Sequence, residues 1–201
     1  FTNLGLDNST GMNNVLDMGK GDDKTLLLGG VQGSVEVQLG EGEDTVIFGR
    51  NSQSENFKLG TGTGEDSVVL GQKTEHTQID LGWGIAGDTV ELGVGSLLAN
   101  SSISSANERD SLTFAGDLES VEMKFSGSGS ASVTASGNVF MGDDSSDTSV
   151  WDFGAGDDNL SINGDLAMIS STGNAYFNLG SGSDSISLGG SIFGSGQVEF
   201  D

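Results

Sequence analysis

The chain contains no cysteine and no proline, and only seven of its 201 residues are Lys or Arg. The absence of Cys excludes disulfide frameworks, thiolate metal sites and thiol nucleophiles. Seven basic residues against 30 acidic ones give a formal net charge of −23. That balance excludes a nucleic-acid binder, which needs clustered Lys and Arg to neutralise phosphates. No apolar run is long enough to span a membrane.

No charged-then-apolar leader opens the sequence at Phe1, so we expect a classical signal peptide to be absent or already removed. Glycine is abundant, at 34 residues, but it has no period of three, which excludes collagen. High charge and abundant glycine are typical of disorder. The apolar residues, however, make up 34% of the chain and follow a strict period, which indicates a folded repeat protein.

One repeat unit recurs along the sequence. An apolar-polar-apolar triplet is followed by a glycine- and aspartate-rich turn and then by a second apolar-polar-apolar stretch closed by glycine. The best copy is residues 37–49, VQLGEGEDTVIFG. The turn aspartates lie at 23, 44, 66, 88, 158 and 184, with successive gaps of 21, 22, 22, 70 and 26 residues.

The gap of 70 residues corresponds to about three periods, so it predicts two coils that have lost the motif. The candidates for the first are residues 112–114 with 121–125. The candidate for the second is residues 139–142, followed by the acidic Asp143 and Asp144.

Period-two alternation over three to five residues, bounded by glycine, predicts short half-buried strands. Two strands per period and stacking of coils at about 4.8 Å predict an all-β fold, a parallel β-roll or β-solenoid with about 22 residues per coil. The inner layer is predicted to hold Val37, Leu39, Val46, Phe48, Phe57, Leu59, Val68, Leu70, Ile79, Leu81, Val90 and Leu92.

The regularity of the repeat divides the chain into three parts that we expect to form one continuous solenoid. Residues 1–93 and 151–201 carry regular coils, whereas residues 94–150 carry irregular coils with a long polar loop insertion beginning at Val94. The coil edge opposite the glycine turns is variable in length. Any partner specificity is expected there or on the outer strand faces.

The Gly-x-Gly-x-Asp turn has the chemistry of a hard-cation site. Glycine allows positive φ and leaves backbone carbonyls uncovered, and calcium takes six to eight oxygens from carboxylates and carbonyls. Two adjacent turns of a stack are needed to supply that number. Stacked carboxylates about 5 Å apart also repel by roughly 3 kcal/mol per pair at an effective dielectric near 20, and a cation relieves that repulsion.

Five such turns in phase resemble the calcium-binding repeats of the RTX (hemolysin-type) family, whose fold is a β-roll. The resemblance implies calcium as the bound ion, a bacterial surface protein and secretion by a type I route. The sequence departs from the family pattern in keeping the turn on one edge only, and a longer turn precedes Asp88. The implied metal residues are Gly19, Gly21, Asp23, Gly40, Gly42, Asp44, Gly62, Gly64, Asp66, Asp88, Gly154, Gly156, Asp158, Gly180, Gly182 and Asp184.

Other sequence features are weaker evidence of function. Gly82-x-Gly84-x-x-Gly87 spells a dinucleotide fingerprint, but a strand follows it where a helix is required. His76, the only histidine, is interpreted as a plain surface residue, and Trp83 and Trp151 as core or edge packing. Neither His-Glu-x-x-His nor Gly-x-Ser-x-Gly occurs.

We therefore expect no enzyme but an extracellular structural β-roll of a surface layer, filament or large adhesin, folded and rigidified by calcium. The alternative is the calcium-binding secretion module of an exported enzyme whose catalytic domain lies outside this segment. Both ends resemble strands entering a turn, so self-association or further repeats are expected. No nucleic acid or membrane insertion is expected, and a cell-surface glycan or another surface protein stays open as partner.

Overall fold

A computed structural model describes residues 14–27, 34–49, 53–54, 56–71, 73–107, 109–142, 148–171 and 173–201. The described residues form strands and no helix, and every pair of neighbouring strands is parallel. The strands stack as a β-solenoid of about seven turns with roughly 22 residues per turn. The predicted fold class is confirmed.

One face of the solenoid is an eight-stranded sheet in which the order in space follows the order in the chain. Each strand has four residues, and in seven of the eight strands the second and fourth residues are buried while the first and third are not. The strands are β2 (Lys24–Leu27), β4 (Thr45–Phe48), β7 (Ser67–Leu70), β10 (Thr89–Leu92), β12 (Ser111–Phe114), β14 (Ser132–Ala135), β17 (Asn159–Ile162) and β20 (Ser185–Leu188).

The opposite side is a 14-stranded sheet that bends along its length. Its strands are β1 (Asn14–Asp17), β3 (Val35–Glu41), β5 (Gln53–Ser54), β6 (Phe57–Thr63), β8 (Lys73–Glu75), β9 (Thr77–Gly84), β11 (Leu97–Asn107), β13 (Asp117–Phe125), β15 (Val139–Met141), β16 (Thr148–Asp152), β18 (Leu166–Met168), β19 (Asn174–Asn178), β21 (Ile192–Phe193) and β22 (Gln197–Phe200). β11 pairs with both β8 and β9, and β13 pairs with both β15 and β16. A coil such as that of β8, β9 and β10 therefore has three strands, one more than the sequence predicts, whereas in β11 the two segments of the long sheet are continuous.

The core lies between the sheets and contains the predicted inner layer. All twelve of the side chains predicted to face inward are at most 3% exposed, which confirms that part of the prediction. The aromatic side chains pack along the stack: Phe48 meets Phe57 edge-on with 5.1 Å between ring centroids. Trp151 is fully buried, and its Nε1–H donates to the Val121 carbonyl at 2.8 Å. Trp83, by contrast, is 70% exposed, so it belongs to neither core nor edge packing.

Where the sequence predicts a polar loop insertion after Val94, the structure has a strand. Residues 97–107 form the longest strand of the described chain, β11. Small polar residues replace apolar ones at its inward positions: Ser101 and Ser105 are 6% and 3% exposed, beside the buried Ile103. The serine-rich sequence conceals the period-two pattern, because serine occupies both buried positions, such as Ser101 and Ser105, and exposed ones, such as Ser104.

Candidate metal centre

The predicted turns hold their glycines in a backbone conformation that other residues rarely adopt. Gly40 has φ +110° and Gly42 has φ +147°. A Cβ at Gly42 would also overlap the Gly21 carbonyl of the neighbouring coil, so close stacking requires glycine as well. Positive φ is shared by all the glycines predicted for the site, which are Gly19, Gly21, Gly40, Gly42, Gly62, Gly64, Gly154, Gly156, Gly180 and Gly182.

The aspartates that close the turns form a row along one edge of the solenoid, and their carboxylates link successive coils. Asp44 Oδ1 accepts a hydrogen bond from the Asp23 backbone N–H at 2.7 Å. Asp66 Oδ1 accepts from Asp44 N–H at 2.8 Å, and Asp88 Oδ1 from Asp66 N–H at 2.8 Å. The same contact recurs further along the chain, where Asp184 Oδ1 accepts from Asp158 N–H at 2.8 Å.

We call this row the aspartate ladder, and it contains one residue that the motif did not identify. Asp110 is 4% exposed, and its Oδ1 accepts from Asp88 N–H at 2.9 Å. Ala131 occupies the next position, and its N–H donates to Asp158 Oδ1 at 2.6 Å. The ladder consists of Asp23, Asp44, Asp66, Asp88, Asp110, Asp158 and Asp184.

Two coils thus lie between Asp88 and Asp158, as the gap of 70 residues predicts. The first contains β12 and β13, which cover the predicted residues 112–114 and 121–125. The second contains β15, while Asp143 and Asp144 lie outside the described residues. Asp110 has no glycine turn before it, because residues 106–109 are Ala-Asn-Glu-Arg. Only its distance of 22 residues from Asp88 could have identified it.

A second ladder of polar side chains runs along the other end of the eight-stranded sheet and was missed by the sequence interpretation. Asn138 N–H donates to Asp117 Oδ1 at 2.8 Å, and Asp165 N–H donates to Asn138 Oδ1 at 3.2 Å. Ser191 N–H donates to Asp165 Oδ1 at 2.9 Å. A glycine precedes each of these four residues in the chain, and that dipeptide is the signal that could have revealed the ladder.

The aspartate ladder leaves buried oxygen atoms without a hydrogen-bond donor. Among the described residues, the unpartnered and buried Oδ2 atoms belong to Asp23, Asp44, Asp66 and Asp158. Burial raises the pKa of Asp44, Asp66 and Asp158 above the ordinary carboxyl value, and the neighbouring aspartates of the ladder raise it further. The backbone N–H that each carboxylate accepts opposes this rise. The charged form is therefore short of stabilising partners.

These residues fit a calcium ion because a hard cation satisfies anionic oxygens that lack a donor. Asp carboxylates of adjacent coils would hold the ion, as in Asp44 with Asp66. In the part of the chain that the structure describes, no three His, Cys, Asp or Glu side chains converge on one point. Backbone carbonyls of the glycine turns would therefore have to supply the remaining oxygens.

Comparisons of the chain with protein-family models, with curated proteins and with solved structures found no match. The structure supports the parallel β-solenoid, which is compatible with a β-roll, and the RTX assignment stays a prediction. Within the described residues, no helix of a length and apolarity suited to crossing a membrane is found.

The raised pKa values predict an unusual pH dependence for the cation-free protein. A carboxyl group whose pKa is higher in the folded state than in the unfolded state favours folding when it is protonated. This contribution is complete below the unfolded value of about 3.9 and is lost as the pH rises through the folded value. We expect the β signal that the chain retains in a chelator to rise when the pH is lowered from neutral towards the raised carboxyl values.

The variant Asp66→Asn measures how much of this pH dependence comes from the aspartate ladder. Asparagine removes the charge and keeps an oxygen that can accept the Asp44 N–H, so the variant should retain more β signal in chelator, and that signal should depend less on pH. Glu91→Gln, at an exposed position of β10, removes the same charge from an outer face and should leave the pH slope unchanged. Equal slopes for all three proteins would contradict the prediction.

Proposed function

We propose that this chain is a calcium-binding structural β-solenoid, that it is not an enzyme, and that it acts outside the cell in a surface layer, filament or large adhesin. The observation that carries the proposal is the row of buried carboxylate oxygens without donors on the glycine-turn edge. A chain with net charge −23 gains from a bound cation at every coil. The RTX-like turns support calcium as that cation.

The proposed location rests on the same chemistry. Calcium modules that work outside cells bind with dissociation constants of about 10⁻⁴–10⁻³ M, where calcium is abundant. Sites built from one carboxylate per coil and shared backbone carbonyls belong in that weak class. The complete absence of cysteine is consistent with the type I secretion that the resemblance implies.

The last described coil bears on the proposed self-association. Ile192 and Phe193 are 49% and 51% exposed, whereas Leu166 and Ala167, their partners in the preceding coil, are 1% and 4% exposed. The side chains of β21 thus lack the layer that covers β18. We propose that another coil, from the same chain or from a second copy, covers them, and sedimentation of this chain in calcium tests self-association.

Calcium titration by calorimetry tests the binding proposal directly. The wild-type chain is expected to bind several calcium ions with no comparable response to magnesium, because the ladder supplies flexible oxygen sites and not an octahedral cage. Asp66→Asn should lower the number of ions bound, since Asp66 is shared by two coil junctions. Glu91→Gln should bind as the wild type does. Absence of binding at millimolar calcium would overturn the proposal.

A further inference from the structure

The 14-stranded sheet bends at the same place in four coils, and none of the four residues at the bend is glycine. Asn56, His76, Asn100 and Ser120 have φ between +48° and +54°. The parallel register on either side places them in one column. Such a conformation costs of order 1–3 kcal/mol per residue, and Asn and His tolerate it better than most. Each position therefore retains a side chain where glycine would fit with less strain.

The bend creates a continuous groove on the outside of the solenoid. Two adjoining cavities of about 260 and 390 Å³ lie along it and share Asn56, His76 and Gln78. The groove crosses six coils. Five of them contribute an outward residue, namely Glu36, Lys58, Gln78, Ser102 and Glu122, and the sixth lines the groove with the buried Ser149. At the strand spacing of about 4.8 Å, six coils give the groove a length of about 24 Å.

Four polar side chains that line the groove take no part in holding the protein together. Within the described residues, no hydrogen bond or ion pair joins the side chains of Asn56, His76, Gln78 or Asn100 to another protein group. The Ser120 Oγ atom is shielded from solvent and also has no partner. Side chains that served only to stabilise the bend would be expected to bond to their neighbours, as those of the aspartate ladder do.

The lining defines the chemistry of a ligand. Amides, hydroxyls and one imidazole supply both donors and acceptors, and they repeat once per coil. Among the described residues that line the groove, Lys58 is the only cationic side chain, and Glu36 and Glu122 are the acidic ones. With a net charge of −23, this surface repels nucleic acids and acidic polysaccharides. A polymer of uncharged, hydroxyl-rich units is therefore the ligand whose chemistry matches this lining.

We infer that the groove binds an extended, uncharged oligosaccharide along the solenoid axis. A sugar ring is comparable in length to the coil spacing of about 4.8 Å, so successive rings meet polar side chains at equivalent positions of successive coils. The paired strands hold the backbone of these residues in place before binding, which lowers the entropic cost of association. This inference does not depend on calcium occupying the aspartate ladder.

The experiment measures binding of linear hexasaccharides of glucose with β-1,4, β-1,3 or α-1,4 linkages by calorimetry, in calcium buffer. At least one linkage is expected to bind the wild-type chain. The double variant His76→Gly with Asn100→Gly removes two groove side chains and suits the positive φ at both positions. It should lose at least tenfold in affinity while its melting temperature stays equal or rises.

Glu91→Ala, on the outer face of the eight-stranded sheet, is the matched control and should bind as the wild type does. A lysine-containing extended peptide is titrated in parallel. The inference is overturned if no hexasaccharide binds at millimolar concentration, if the double variant binds as tightly as the wild type, or if only the peptide binds.

Discussion

Removal of calcium is expected to unfold most of this chain. Every described coil of the aspartate ladder except that of Ala131 contributes a carboxylate, and without a cation these buried charges oppose the stacking of coils. At a calcium concentration of ten times the dissociation constant, binding that occurs only in the folded state stabilises it by about 1.4 kcal/mol per site. Several sites together match the 5–15 kcal/mol of a typical domain.

Circular dichroism in excess chelator measures this effect. We expect the β signal to be lost and to return when calcium, but not magnesium, is added back. The melting temperature should rise with calcium concentration, as binding linkage requires. An unchanged β signal and melting temperature in chelator would show that the apolar core suffices alone. In that case the aspartate ladder would stabilise the fold through its hydrogen bonds alone, without a cation.

The core was predictable from sequence because every coil repeats the same physical problem. A strand with one buried face alternates apolar and polar residues, and a coil has to end in a turn that only glycine allows. Val37 and Leu39 show the first constraint, and Gly40 and Gly42 show the second. Neither depends on distant parts of the chain, so both are visible in a short segment of sequence.

Features that depend on contacts between coils were harder to predict. The role of Asp110 is set by the Asp88 N–H of the neighbouring coil, and no local turn motif marks it. The ladder of Asp117, Asn138 and Asp165 also acts across coils, and it varies between acid and amide. Backbone N–H groups need an acceptor, and either side chain serves. A search for acidic residues alone therefore misses it.

The bend that divides the long sheet was missed for a different reason. Positive φ is usually indicated by glycine, and the bend instead contains Asn56, His76, Asn100 and Ser120. In sequence these are ordinary polar residues of a variable edge. Their alignment appears only when the register of β8 and β9 against β11 is known.

Gly64→Ala is expected to destabilise the solenoid strongly even in saturating calcium. Gly64 has φ +137°, and a Cβ there would overlap the Gly42 carbonyl oxygen of the neighbouring coil. The two coils cannot simply separate, because Ser67 N–H donates to the Asp44 carbonyl at 2.8 Å and Asp44 N–H to Asp66 Oδ1 at 2.8 Å. Backbone strain of about 1–3 kcal/mol adds to a similar overpacking cost, giving about 2–6 kcal/mol in all.

Gly95→Ala separates the two contributions. Gly95 also has positive φ, +73°, but among the described atoms nothing lies within 4 Å of the position its Cβ would take. It should therefore lose only the strain cost of about 1–2 kcal/mol. Urea unfolding of both variants in calcium measures the difference. If Gly64→Ala cost no more than Gly95→Ala, the coils would not be packed as closely at the turn edge as the structure shows, and the aspartate ladder could not link them.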